Sequence, residues 1–163
     1  MVDGQPAPVG DVGSADFDVA DRLAIINLFG AYAYTYDENL LDDFRGLFTE
    51  APQFVLQHEG KALSGDVDTV MKMLAVRKAN FKVENNQRRH ALNSFWFSSQ
   101  SATEETGYCY VQVFAIREGG PPTPDLSGCY EFTAVKEDRV WKFSRWALAI
   151  DQKHPLDTSQ APK

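Results

Sequence analysis

VADRLAIINLFGAYAYTYDENLLDDFRGLF, residues 19–48, carries an apolar helical stripe that ends in a charge. Steps of four and three residues give Val19, Leu23, Ile26, Gly30, Ala33 and then Asp37, the spacing that keeps side chains on one face of an α-helix. The expected inward face therefore finishes in a carboxylate, beside two residues, Gly30 and Ala33, small enough to leave a cavity. A carboxylate at a helix C-terminus opposes the macrodipole, which suits a general base. A second role stays open at this point. Asp37-Glu38-Asn39 precedes another apolar run, Leu40 to Phe48, and is also an ordinary N-cap signal for it.

Outward from this stretch, Asp16, Asp18 or Asp21 can start the first helix, and Pro52 is expected to stop the second. Gln53 to His58 alternates as a short strand. Gly60 and Gly65 frame a turn, and a third helix is expected from Asp66 or Asp68 to about Arg77. From Arg89 the pattern changes to long segments rich in aromatic and β-branched residues, at about 89–99, 107–117, 127–136 and 139–151, joined by turns. Helices first and then a helix-free meander predict an α+β fold, a cone-shaped, curved antiparallel sheet packed on N-terminal helices. The domain is expected over 16–151, with a flexible arm at 1–15 and a tail at 152–163.

A length of 163 residues suits one domain, and a formal charge of −7 disfavours nucleic acid and anionic membranes as partners. No leader pattern and no apolar run near the ~20 residues of a membrane span is present, so a cytoplasmic location is expected. Cys109 and Cys129 lie in separate apolar runs without metal-ligand spacing, and both are expected as reduced core residues. His58 is expected to be solvated near a strand end.

His90 opens the first long strand. A carboxylate and an imidazole in contact form a proton-abstracting dyad, the Asp orienting the ring and stabilising the imidazolium. No G-x-S-x-G, P-loop, dinucleotide or H-E-x-x-H motif offers other machinery.

Asp21-Arg22-Leu23-Ala24-Ile25-Ile26, Tyr36-Asp37, Phe44, Leu47-Phe48, Arg89-His90 with Asn93, and Arg139-Val140-Trp141-Lys142-Phe143-Ser144 together resemble the SnoaL-like branch of the nuclear transport factor 2-like superfamily, over about residues 17–151. Within that branch the chain resembles scytalone dehydratase, hexachlorocyclohexane dehydrochlorinase and bile acid 7α-dehydratase. It implies a cone-shaped α+β barrel of the cystatin-like kind, no metal and no organic cofactor, and an Asp/His dyad on Asp37 and His90. The chain departs from scytalone dehydratase in having no histidine from Tyr108 to Ile116 and no tyrosine at Phe54-Val55-Leu56.

The function expected is a cofactor-independent lyase or isomerase, of the dehydratase or dehydrohalogenase type, acting on an apolar and polycyclic small molecule. Tyr32 or Tyr36 would serve as proton donor, and Asn93, Phe95 or Trp96, Phe114 and Trp146 are the candidate lining residues. A polyketide aldol cyclase uses the same base on another electrophile, and an epoxide hydrolase is a lesser alternative. A binding or subunit-assembly module would not need Asp37 and His90 to touch. A homo-oligomer, dimer or trimer, is expected because three helices cannot cover both faces of the sheet.

Overall fold

Asp18 accepts the backbone N–H of Asp21 at 3.1 Å and so starts α1 (Val19–Asp37). The computed structural model describes residues 18–58 and 61–151; the expected arm and tail lie outside the described residues, as does the side chain of His58. After α1 come α2 (Leu41–Gly46), β1 (Phe48–His58), β2 (Lys61–Gly65), α3 (Val67–Val83), β3 (Asn86–Gln100), β4 (Glu104–Arg117), β5 (Thr123–Glu137) and β6 (Val140–Ile150). The fold is α+β, with helices packed on a curved sheet that is not closed into a barrel.

The strands run in the order β2-β1-β6-β5-β4-β3. The meander from β3 to β6 is antiparallel throughout, as the uninterrupted succession of strands predicts. Two expectations fail on the other side. β1 joins β6 in parallel, so the sheet is mixed, and residues 61–65, expected as a turn, form β2 against β1. β1 also begins at Phe48, because Pro52 sits at a register shift between Phe48 and Gln53, where the missing N–H costs no ladder bond. α3 runs to Val83, one and a half turns past the expected end, with Asp66 capping it through the Thr69 N–H at 2.8 Å.

The inward face of α1 is not the expected stripe. Val19, Leu23 and Ile26 are exposed, and Gly30 has open space around it. Ile25, Phe29, Tyr32 and Tyr36 face the sheet instead. α1 is apolar almost all round, so periodicity alone leaves the choice open, and the aromatic stripe wins because it removes more apolar area from water. Phe29 is fully buried, with ring centroids of Phe95 and Phe132 at 4.9 Å and of Phe143 at 5.0 Å. None of the described helices is long and apolar enough to cross a membrane.

On β4, Cys109, Val111, Val113 and Ala115 point inward and alternate with outward residues. Cys109 is a buried free thiol, its ionisation pushed up by burial. Cys129 pairs with exposed Tyr110 and is half-buried on the outer face rather than in the core.

Candidate active site

α1 stops where the site begins. Asn39 takes a left-handed conformation, φ 60°, two residues past Asp37, and the Glu38 N–H closes on the Tyr34 carbonyl. Asp37 is thereby the last helical residue, and α2 has Leu40 at its N-cap with no side-chain cap, so the capping role is not the one Asp37 plays. The end of α1 is tied to the start of β3 at three successive points. Gln87 Nε2 donates to the Asp37 carbonyl at 3.1 Å, Arg89 pairs with Glu38 at 2.9 Å, and Asp37 itself meets His90.

That meeting is double. Asp37 Oδ1 lies 2.6 Å from His90 Nδ1, and Oδ2 accepts the His90 backbone N–H at 2.8 Å. Both side chains are more than nine-tenths buried. A carboxylate only accepts, so Nδ1 carries the hydrogen and Nε2 is the basic nitrogen of the neutral ring. Tyr36 flanks the imidazole edge-on at 4.7 Å between ring centroids, and Tyr32 stands at 6.3 Å.

Deeper in the cone, Tyr32 and Tyr130 share a hydroxyl–hydroxyl hydrogen bond of 3.1 Å. Burial pushes the ionisation of both phenols up, so they stay protonated. Trp146 packs between them, with centroids 4.3 Å from Tyr32 and 4.4 Å from Tyr130, and its buried Nε1–H finds no acceptor among the described residues.

The expected lining residues divide by strand parity. Trp146, Tyr32 and Tyr36 are inside, and of Phe95 and Trp96 it is Phe95 that packs on the core. Asn93, Trp96 and Phe114 are corrections: they lie on the outer face. Phe114 follows inward Val113, the partner of His90, while Asn93 and Trp96 pair with outward Tyr110 and Tyr108. Ser94, at φ 54°, sits in the register shift between Asn93 and Trp96 that sends Phe95 and Phe97 inward.

Two site residues escaped the sequence reading. Tyr130 alternates inward with Phe132 and Ala134, a period-2 signal that was available. Lys78 lies one residue beyond the expected end of the third helix. It continues the inward positions Val67, Met71 and Leu74 of α3, so an apolar stripe ending in a charge does occur here, on a different helix. A cleft of about 270 Å³ opens beside Asp37, lined among others by Lys78, Phe81, Asn86, Gln87 and Arg88. It is polar, unlike the apolar cavity expected. Among the described residues no group of three or more His, Cys, Asp and Glu side chains is placed to hold a metal ion.

A model of the SnoaL-like domain matches residues 18–147. The chain belongs to the SnoaL-like family. No curated protein matches it by sequence. Among solved structures, it is similar to a protein from Novosphingobium aromaticivorans provisionally described as a scytalone dehydratase, with 23% identity, TM-score 0.68, and 85% of this chain and 89% of that one covered. It is similar to the beta subunit of a provisionally described aromatic-ring-hydroxylating dioxygenase from the same organism, at 18% identity, TM-score 0.69 and coverage of 88% and 98%. A third, also from N. aromaticivorans, is an NTF2-like protein with a cystatin-like fold, at 14% identity, TM-score 0.67 and coverage of 89% and 91%. These likenesses place the SnoaL-like chain in that fold.

Proposed function

We propose that the protein is a cofactor-independent lyase or isomerase in which His90, oriented by Asp37, removes a proton from a carbon of a small, largely apolar substrate. The observation that carries this is the 2.6 Å contact between two buried side chains that sequence alone places 53 residues apart. His90 Nε2 takes the proton, and Asp37 stabilises the imidazolium so formed. The electron pair left on carbon then expels a β-substituent, water or halide, giving an alkene. The leaving group departs with a proton from the Tyr32 or Tyr36 hydroxyl, and solvent exchange restores both groups. Where no leaving group is present, the same first step followed by reprotonation at another carbon is an isomerisation. Tyr32 is the favoured donor because its hydroxyl is held in place by Tyr130.

The test is turnover of a panel of β-hydroxy and β-halo carbonyl compounds in deuterium oxide. Exchange of the substrate α-hydrogen for deuterium, lost in His90→Ala while the variant stays folded, supports the proposal. Equal exchange in a folded His90→Ala protein would falsify it.

A further inference from the structure

The cleft beside Asp37 holds Asn86 Oδ1, a buried oxygen without a hydrogen-bond partner among the described residues, and Lys78 Nζ, which contacts aromatic rings there. Both residues are 6% exposed. The Lys78 ammonium rests on the Tyr36 ring, 3.6 Å from its centroid, and the opposite neighbour of that ring is His90, at 4.7 Å. The nearby charges are otherwise engaged. Both Asp37 oxygens are taken by His90, Arg88 is paired with Asp125, and Glu38 with Arg89. The Lys78 ammonium has the Asp37 and Glu38 carboxylates near it but bonded elsewhere, so it rests on a π-face without a hydrogen-bond acceptor among the described residues, and the amide oxygen beside it lacks a donor.

We infer that this cleft binds an anionic oxygen substituent of the substrate, a carboxylate or a phenolate, on Lys78 Nζ, with Asn86 Oδ1 accepting a hydrogen bond from a hydroxyl of the same molecule. The inference rests on the proposed function only in taking the cleft as part of the substrate site. It narrows the substrate class to an apolar ring system carrying an oxyanion and a neighbouring hydroxyl. The ring body would lie along the cleft wall that Phe81 forms, and Tyr36, in contact with both the Lys78 ammonium and the His90 ring, joins this cleft to the imidazole. Burial pulls the Lys78 amine down to about 8, opposed by the Asp37 and Glu38 carboxylates and reinforced by Arg77 and Arg88, with Lys82 also on the cleft wall. The ammonium is therefore mostly charged at pH 7 and is lost well before an ordinary lysine.

The probes are 3-hydroxy-2-naphthoate, its neutral amide, and 4-nitrophenolate, measured by calorimetry on the full chain. The naphthoate should bind wild type about 10- to 100-fold more tightly than the amide at pH 7, the range of one hydrogen bond to a charged group. Lys78→Met should bring the two to parity, and Lys78→Arg should keep the preference. Raising the pH from 7 to 9.5 should weaken the naphthoate, whose carboxylate keeps its charge across that range while the Lys78 ammonium is lost. Tighter binding of 4-nitrophenolate than of the naphthoate would support the phenolate form of the same site. Equal affinity of naphthoate and amide in wild type, a preference that survives in Lys78→Met, or binding of none of the three overturns the inference. None of the probes has a proton on saturated carbon, so this outcome is independent of the proton-abstraction test.

Discussion

Asp37 holds His90 twice, Oδ2 on the backbone N–H at 2.8 Å and Oδ1 on ring Nδ1 at 2.6 Å. An asparagine cannot satisfy both contacts, since its amide nitrogen turns a donor toward one of two donors, or forces the ring into the tautomer that protonates Nε2. Asp37→Asn and His90→Ala should each lower turnover by roughly 10²–10⁴-fold, the range of general-base removal. Because the pair acts as a unit, the double variant should be little worse than either alone. Steady-state kinetics on the three proteins, with thermal midpoints measured beside them, decides this; full activity in folded Asp37→Asn would sink the mechanism.

Tyr32→Phe and Tyr130→Phe each break one buried hydroxyl pair and should cost about 1 kcal/mol of stability, close to one another. Their kinetics should differ. Tyr32→Phe removes the proposed donor and lowers turnover, most for the poorest leaving group, while Tyr130→Phe has the smaller effect. Identical losses in the two variants would assign donation elsewhere.

Lys78 costs stability where it stands. Its amine is pulled down by burial from 10.5 to about 8, so between these values the unfolded chain binds the proton that the folded one has released, and stability rises with pH across that window. Lys78→Met should therefore be more stable than wild type at pH 7 by up to about 3 kcal/mol, the gain shrinking toward pH 10. Urea melts at both pH values test the sign. A variant less stable at pH 7 would mean the ammonium is satisfied in the folded protein.

Asp21 closes the opposite end of the cone, accepting from Lys136 Nζ at 2.7 Å and Trp141 Nε1 at 2.8 Å. The hydrogen bond from Lys136 and then that from Trp141 hold its carboxyl below the ordinary range. The folded state binds this proton less readily than the unfolded chain, so the stabilisation is complete above about pH 4 and is lost as the pH falls through the folded value. Asp21→Asn should flatten the acid limb of the stability curve, and Asp21→Ala should cost about 1–3 kcal/mol by leaving the Trp141 N–H unpaired. Thermal melts from pH 2.5 to 7 report both.

The outer sheet face carries Trp96, Tyr110 and Val140, each at least 40% exposed. With Asn93 and Phe114 on the same face, it offers apolar surface that the helices do not cover. Sedimentation at micromolar concentration should give a dimer or trimer, and Tyr110→Glu should shift it toward monomer. An ~18 kDa species alone at that concentration counts against association.

The meander was legible because alternating side chains on β4 and β5 leave little freedom in strand phase, and the helix starts at Asp18 and Asp66 were legible from their capping chemistry. The contact between Asp37 and His90 was anticipated for an incomplete reason. The stripe that led to Asp37 faces solvent, and Asp37 reaches β3 from the flank of the aromatic face that is buried. The face of Trp96 was not legible because the register shift at Ser94 resets parity within β3 and nothing local announces it, whereas Asn93, an odd number of residues from His90, and Phe114, next to inward Val113, lie outward by plain alternation. β2 was missed because the four residues between Gly60 and Gly65 carry no period long enough to read, and Lys78 because a lysine on an inward helix face contradicts the usual pattern.

β3 is the last strand of its sheet, paired only with β4. Such a margin offers its unpaired N–H and C=O groups to any extended chain that approaches, and strand addition there leads to aggregation. At His90 that margin is sealed, because the N–H turned away from β4 is taken by Asp37. The carboxylate that meets the imidazole thus also removes one open donor from the edge of the sheet.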